Sequence, residues 1–223
     1  LTTTYEYDSL GQLTRDNDPH AGKSTMYLYD CGGNMTGYLS APYTLAPTLE
    51  GVNETVFYTY GDSNWKDKVT AIGGKAITYD AIGNPLTYDG WTFTWKAGRM
   101  LASMVKTGTN AQFTYDHNGM RIRKIVNGVT TNYTLNGKNI VHMTQGSHDL
   151  HFFYDAQGKP GMVTYNDVDY FYVYNLQGDV VALIDANGTQ VVEYVYDAWG
   201  APIAKTGTMA ATLGTVNPFR YRG

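Results

Sequence analysis

Six copies of Tyr-Asp-x-x-Gly run through the 223-residue chain: Tyr7-Asp8 with Gly11, Tyr29-Asp30 with Gly33, Tyr79-Asp80 with Gly83, Tyr115-Asp116 with Gly119, Tyr154-Asp155 with Gly158 and Tyr196-Asp197 with Gly200. A motif repeated from end to end makes this a repeat protein, so fold and function have to be read from the unit. Each part of the unit has a mechanical role. Asp at the first corner position accepts backbone N–H groups, and Gly at the fourth takes the positive φ from which a returning strand can start. Tyr then ends the incoming strand, with its ring on a half-buried pleated surface and its hydroxyl turned to a polar partner.

Weaker copies fill the gaps. Tyr174-Asn175 with Gly178 replaces Asp by Asn, Tyr133-Thr134 with Gly137 keeps Tyr and Gly, and Trp95-Lys96-Ala97-Gly98 keeps an aromatic and a displaced Gly. The aromatic anchors recur about every 20 residues, which is room for two strands and two tight turns. Asn127-Gly128 between runs of β-formers marks the second turn of a unit, and Asn187-Gly188, Asp89-Gly90 and Gly73-Gly74 mark similar returns. The expected fold is all-β, an antiparallel meander of hairpins in a curved, spiral sheet, with residues 1–223 forming one body. A hydrophobic fraction of 43% with 14% aromatics is enough for a core, and helix-period stripes are scarce. Residues 39–53, with Pro42 and Pro47, read as an irregular loop. One helical turn or two is expected over Thr208 to Leu213, closed by Gly214.

The chemistry-bearing residues point to no catalytic, metal or cofactor site. A net charge of −4 and a pI near 5.7 give no basic footprint for nucleic acid. No apolar run approaches the ~18 residues of a membrane span. No signal peptide opens the chain, which begins in mid-repeat and reads as a fragment of something longer. Cys31 has no partner for an internal disulfide and reads as a small buried or half-buried side chain. His142, His148 and His151 are spaced six and three apart, which fits no ligand pattern; strand residues three apart face opposite sides. Asp167 and Asp169 share a strand face as paired carboxylates would in a glycosidase, but read better as flanking a turn beside Asn166. No serine lies in a nucleophile elbow. Asn34, Asn53, Asn132 and Asn187 begin glycosylation sequons of a kind frequent by accident in such strands.

The extended motif of Tyr7-Asp8-Ser9-Leu10-Gly11-Gln12-Leu13-Thr14 and Tyr29-Asp30-Cys31-Gly32-Gly33-Asn34-Met35-Thr36 resembles the YD repeats of bacterial Rhs proteins. From Tyr196-Asp197-Ala198-Trp199-Gly200 to Asn217-Pro218-Phe219-Arg220-Tyr221-Arg222-Gly223, the tail is similar to the opening of the Rhs-associated core segment, so 196–223 would be its start. The resemblance covers nearly all of the chain outside the Pro-containing loop. It implies a sector of a hollow β-shell, related to toxin-complex C components and teneurins, whose partners are the remaining repeats and core of the same polypeptide and whose cargo is a C-terminal toxin or effector. It also implies a secreted or cell-surface bacterial protein. The family's self-cleavage segment would lie beyond residue 223. The chain itself would be non-enzymatic, a wall rather than a catalyst, with unpaired strand edges disposed to self-association. Two other classes remain. An adhesin or glycan-binding module would use Trp65, Trp91, Trp95 and Trp199 as sugar platforms, whereas rings filling the packed face are the simpler account. A glycosidase would need facing carboxylates in a cleft.

Overall fold

The computed structural model describes residues 2–222; Gly223, the last residue of the tail resemblance, lies outside them. The fold is all-β, as the repeat requires. Among the described residues there are twenty strands, most joined by tight turns, and each pairs with its neighbours in the chain. Among the described residues the first strand pairs only with the second, and the last only with the one before it. Backbone contacts divide the chain into two compact units, Leu1–Phe93 and Thr94–Gly223.

The first unit holds β1 (Thr4–Tyr7), β2 (Leu13–Asp18), β3 (Lys23–Tyr29), β4 (Met35–Pro42), β5 (Glu54–Thr59), β6 (Ala71–Ile72), β7 (Lys75–Tyr79), β8 (Pro85–Tyr88) and the start of β9 (Trp91–Lys96). Its most buried strand is polar. Arg15, Asp16, Asn17 and Asp18 are each at most 4% exposed, and burying such groups is tolerated only when they are hydrogen-bonded. Arg15 donates through Nε to Asn17 Oδ1 (2.8 Å) and through its two terminal nitrogens to the carbonyls of Pro47 and Thr44, both at 3.1 Å. Asp16 accepts the Tyr27 hydroxyl at 3.0 Å, and Asp18 accepts the N–H groups of His20 and Ala21. The loop expected over 39–53 is corrected at its start. Leu39 to Pro42 continue β4, paired with Met26 to Lys23 of β3, and the remaining segment is an irregular surface loop, with Tyr43, Leu45 and Val52 exposed, that the buried Arg15 guanidinium fastens onto β2.

The second unit continues through β10 (Met100–Lys106), β11 (Thr109–Tyr115), β12 (Arg121–Val126), β13 (Val129–Asn136), β14 (Asn139–Gln145), β15 (His148–Tyr154), β16 (Pro160–Tyr165), β17 (Val168–Tyr174), β18 (Val180–Ile184), β19 (Gln190–Tyr196) and β20 (Pro202–Thr206), then the helix α1 (Leu213–Val216). Alternate residues from one face of β13 to β19 make its core: Tyr133, Met143, Leu150, Phe152, Val163, Tyr170, Tyr172, Leu183, Val192 and Tyr194 among them. The C-terminal segment covers that face. Leu213 is fully buried, and Phe219 stands edge-on to Phe152 at 5.1 Å, to Tyr172 at 6.1 Å and to Tyr154 at 6.2 Å. Asn217, 1% exposed, accepts the Tyr172 hydroxyl at 2.7 Å and donates to the Phe219 carbonyl at 2.7 Å. The helix begins at Leu213, where the sequence reading ended it; Thr208 to Thr212 form turns instead. The local signal marked the bend, but the strongly buried Leu213 is what docks the turn that follows.

Candidate functional site

The repeat corner is the one arrangement that recurs with constant chemistry, and its geometry follows from Asp and Gly together. At Asp155, Oδ1 accepts the N–H groups of Gln157 (2.9 Å) and Lys159 (2.8 Å), while Gly158 N–H donates to the Asp155 carbonyl and Asp155 N–H to that of Lys159. One carboxylate oxygen thus serves two donors that the turn would otherwise leave to solvent. The same bonds form at Asp8, Asp30, Asp80, Asp116 and Asp197. The closing glycine carries the required positive φ, for example +87° at Gly33 and +86° at Gly200. At Gly200 a side chain would also strike the ring of Tyr221. In the Asn175 corner, Oδ1 accepts Asp179 N–H, Nδ2 donates to the Asp179 carboxylate at 2.8 Å and Gly178 N–H donates to the Asn175 carbonyl.

Three weaker readings change. Gly137 and Lys138 form a two-residue hairpin between Asn136 and Asn139, leaving Tyr133 buried in mid-strand. Ala97 and Gly98, with φ of +45° and +83°, likewise make a tight return rather than a repeat corner. Asn187-Gly188 is the converse case. Asp185 accepts the N–H groups of Asn187 and Thr189, and Gly188 N–H donates to the Asp185 carbonyl. This full corner escaped the sequence reading because Ile184 stands where Tyr was sought; Asp-x-x-Gly alone would have found it.

The tyrosine before each corner does more than end a strand. Tyr7 pairs with Leu13, and the Leu13 carbonyl accepts the hydroxyl of Tyr29 at 2.9 Å. Tyr29 pairs with Met35, whose carbonyl accepts Tyr60 at 2.8 Å. Tyr154 pairs with Pro160, whose carbonyl accepts Tyr174; Tyr174 pairs with Val180, whose carbonyl accepts Tyr196 at 2.8 Å. Tyr79, Tyr115 and Tyr154 donate to Val69, Leu101 and Ile140 in the same sense. A one-residue register shift beside the tyrosine accompanies each corner. Such bulges leave a carbonyl outside the ladder, and the next tyrosine hydroxyl reaches it. Each repeat is thereby clamped to the one before. Burial raises the hydroxyl pKa of Tyr154 and Tyr196, and burial with the Asp155 charge raises that of Tyr174 to about 12, so the clamps stay protonated donors throughout the physiological range.

Two predictions follow from the corner chemistry. Asp155→Ala removes an acceptor from two N–H groups and is expected to lower unfolding free energy by about 1–2 kcal/mol, read by urea denaturation, with Asp155→Asn milder because Asn175 performs the same task. Acid should act on the first unit. Hydrogen bonds from Asn34 depress the pKa of Asp30, those from Asn84 depress that of Asp80, and the Lys68 ammonium with the Trp65 and Asn64 amides holds Asp62 down to about 2. A carboxyl with a folded pKa below its unfolded value of about 3.9 stabilises fully above that value and less as protons bind. The melting temperature should therefore fall between about pH 4 and pH 2, with a shallower fall in Asp80→Asn. An unchanged slope would detach the corners from acid stability.

Other sequence candidates are placed as follows. Asn166 and Asp167, with φ of +47° and +66°, form the turn between β16 and β17, while the Asp169 carboxylate is employed locally, accepting the Thr164 hydroxyl at 2.6 Å. Cys31 is exposed, which corrects the buried or half-buried reading. Trp65 and Trp199 are about half exposed, and Trp65 lies against Gly83. His148 bonds the Tyr165 hydroxyl at 2.7 Å, away from His151 as period-two alternation requires. His142, however, is directly opposite His151 across β14 and β15, a pairing that spacing along one strand does not reveal.

A non-closing meander of bulged, tyrosine-clamped hairpins defines a YD-type repeat sheet. The teneurin YD-shell family matches residues 1–214, and the chain belongs to that family. It is 33% identical over 224 aligned residues to the tRNA3(Ser)-specific nuclease WapA of Bacillus spizizenii and to the tRNA nuclease WapA of Bacillus subtilis. Each alignment covers 97% of this chain and 9% of the relative, so the chain spans about a tenth of their length. Among solved structures it superposes on the Photorhabdus luminescens Tc holotoxin pore with a TM-score of 0.70 at 18% identity, and on the TcdB2–TccC3 complex with 0.65 at 16%. Those matches cover 99% of this chain and 12% and 13% of the respective neighbours, and they establish the shared fold.

Proposed function

We propose that this chain is a non-enzymatic wall segment of an Rhs-type shell that encloses a C-terminal toxin or effector and aids its delivery outside the producing cell. The observation that carries this is the clamp from tyrosine to the preceding repeat, which makes the sheet extensible by similar units. The bonding chemistry is spent on holding turns and neighbours together. The relatives named as nucleases are about ten times longer, so their activity is compatible with a cargo elsewhere in the polypeptide. Limited proteolysis of the whole polypeptide tests this: the C-terminal segment should resist cleavage while the wall is folded and be digested once it is unfolded. Digestion of that segment at the same rate in both states overturns the reading.

In this reading the natural neighbours of β1 and β20 are further repeats, and the isolated chain offers their outer backbone edges to copies of itself. Sedimentation velocity on the isolated chain is expected to give a concentration-dependent shift toward dimer. A single monomeric species across the range counts against edge pairing.

A further inference from the structure

We propose that His142, Asp149 and His151 form a binding site for a divalent transition-metal ion on the β14–β15 hairpin. His142 and His151 occupy opposed register positions, and their rings lie parallel, 4.3 Å apart between centroids with 15° between planes. Asp149 precedes His151 by two residues and so shares its face of the sheet. Its carboxylate bridges the edges of the two stacked rings, with Oδ2 3.1 Å from His142 Nε2 and Oδ1 3.0 Å from His151 Nε2. One ligand atom from each residue lies within 4.8 Å of the other two. Donors about 2.0–2.1 Å from a tetrahedral ion sit roughly 3.4 Å apart, so closure requires shifts of about 1.5 Å at most. Side-chain rotation supplies them, because the three side chains are 30%, 50% and 53% exposed.

The backbone beneath is held. Met143 and Leu150 project to the opposite face and are 2% and 0% exposed, and the hairpin closes between Gln145 and His148. Asp149 is fixed from its other side, its N–H donating to Asn166 Oδ1 at 2.9 Å and its carbonyl accepting Asn166 N–H at 3.0 Å. Two imidazole nitrogens and one carboxylate oxygen are borderline donors suited to Zn2+, Ni2+ or Cu2+, and poorly suited to Ca2+ or Mg2+, which take mainly oxygen. The three leave coordination positions open to water on the exposed side. A bound ion would tie β14 to β15 across the sheet, stabilising the folded state by mass action.

Isothermal titration of the chain with Zn2+ tests the site, in a Cys31→Ser background because Cys31 is an exposed thiol and Ser9 fills the equivalent corner position in the first repeat. One ion per chain is expected, with no comparable response to Mg2+. His151→Gln and Asp149→Asn, both on the exposed face, should each weaken binding by about tenfold or more and abolish the Zn2+-induced rise in melting temperature. Absence of saturable binding, or equal affinity in His151→Gln, overturns the proposal. Should a site variant not fold by circular dichroism, Cu2+ broadening of amide resonances in the Cys31→Ser chain with the site intact decides: loss centred on 142, 149 and 151 supports the site, and loss centred elsewhere refutes it.

Discussion

Leu183→Ala is expected to destabilise the Thr94–Gly223 unit by about 3–5 kcal/mol, the upper range for truncating a buried leucine. Leu183 is fully buried, pairs with Tyr172 and Val192 on its two sides, and belongs to the core that the C-terminal segment covers. Three side-chain carbons, two of them methyls, would be lost from a site that cannot collapse, because the surrounding strands are fixed by their ladders and by the Asn217 bond to Tyr172. Near-ultraviolet circular dichroism should report the transition through the tyrosines around it. A cost below about 1 kcal/mol would mean that this face is plastic and that tail docking contributes little.

Arg15→Met should cost the first unit about 2–4 kcal/mol and release the segment after Pro42. The substitution keeps much of the aliphatic volume but removes the donors to Thr44 and Pro47 and the Asn17 contact, and hydrogen bonds to a charged group are worth about 1.5–3 kcal/mol each. The readout is local. Thr44 N–H, which donates to Ser24 Oγ at 2.9 Å, should lose protection from hydrogen exchange before the strands do. Removing the exposed Lys23–Glu54 pair, whose side chains are 46% and 41% exposed, should by contrast change stability by less than about 1 kcal/mol. Equal effects from the two changes would contradict a buried anchoring role for Arg15.

The corners were legible because their chemistry is local: an Asp that accepts two N–H groups and a Gly with positive φ need only five consecutive residues. Their partners were not. Tyr29 and Leu13 are sixteen residues apart, and their bond depends on a bulge that no window of sequence displays. Pro42 suggested a break, yet strand ends tolerate proline where no ladder N–H is needed, as Pro85, Pro160 and Pro202 do at the first positions of β8, β16 and β20. The burial of the polar strand Arg15 to Asp18 has no local signal either, since part of it comes from the loop folded back onto the Arg15 guanidinium. The histidines illustrate the same limit. Spacing along β15 separates His148 from His151 correctly, while the opposition of His142 and His151 comes from hairpin register.

Cryo-electron microscopy of the whole polypeptide that carries this chain tests containment most directly. The account predicts β1 and β20 each paired with a strand of a further repeat, tyrosine clamps continuing across both joins, and enclosed density for the C-terminal segment inside the resulting wall. A map with those two edges unpaired and the C-terminal segment outside, in solvent, would contradict it.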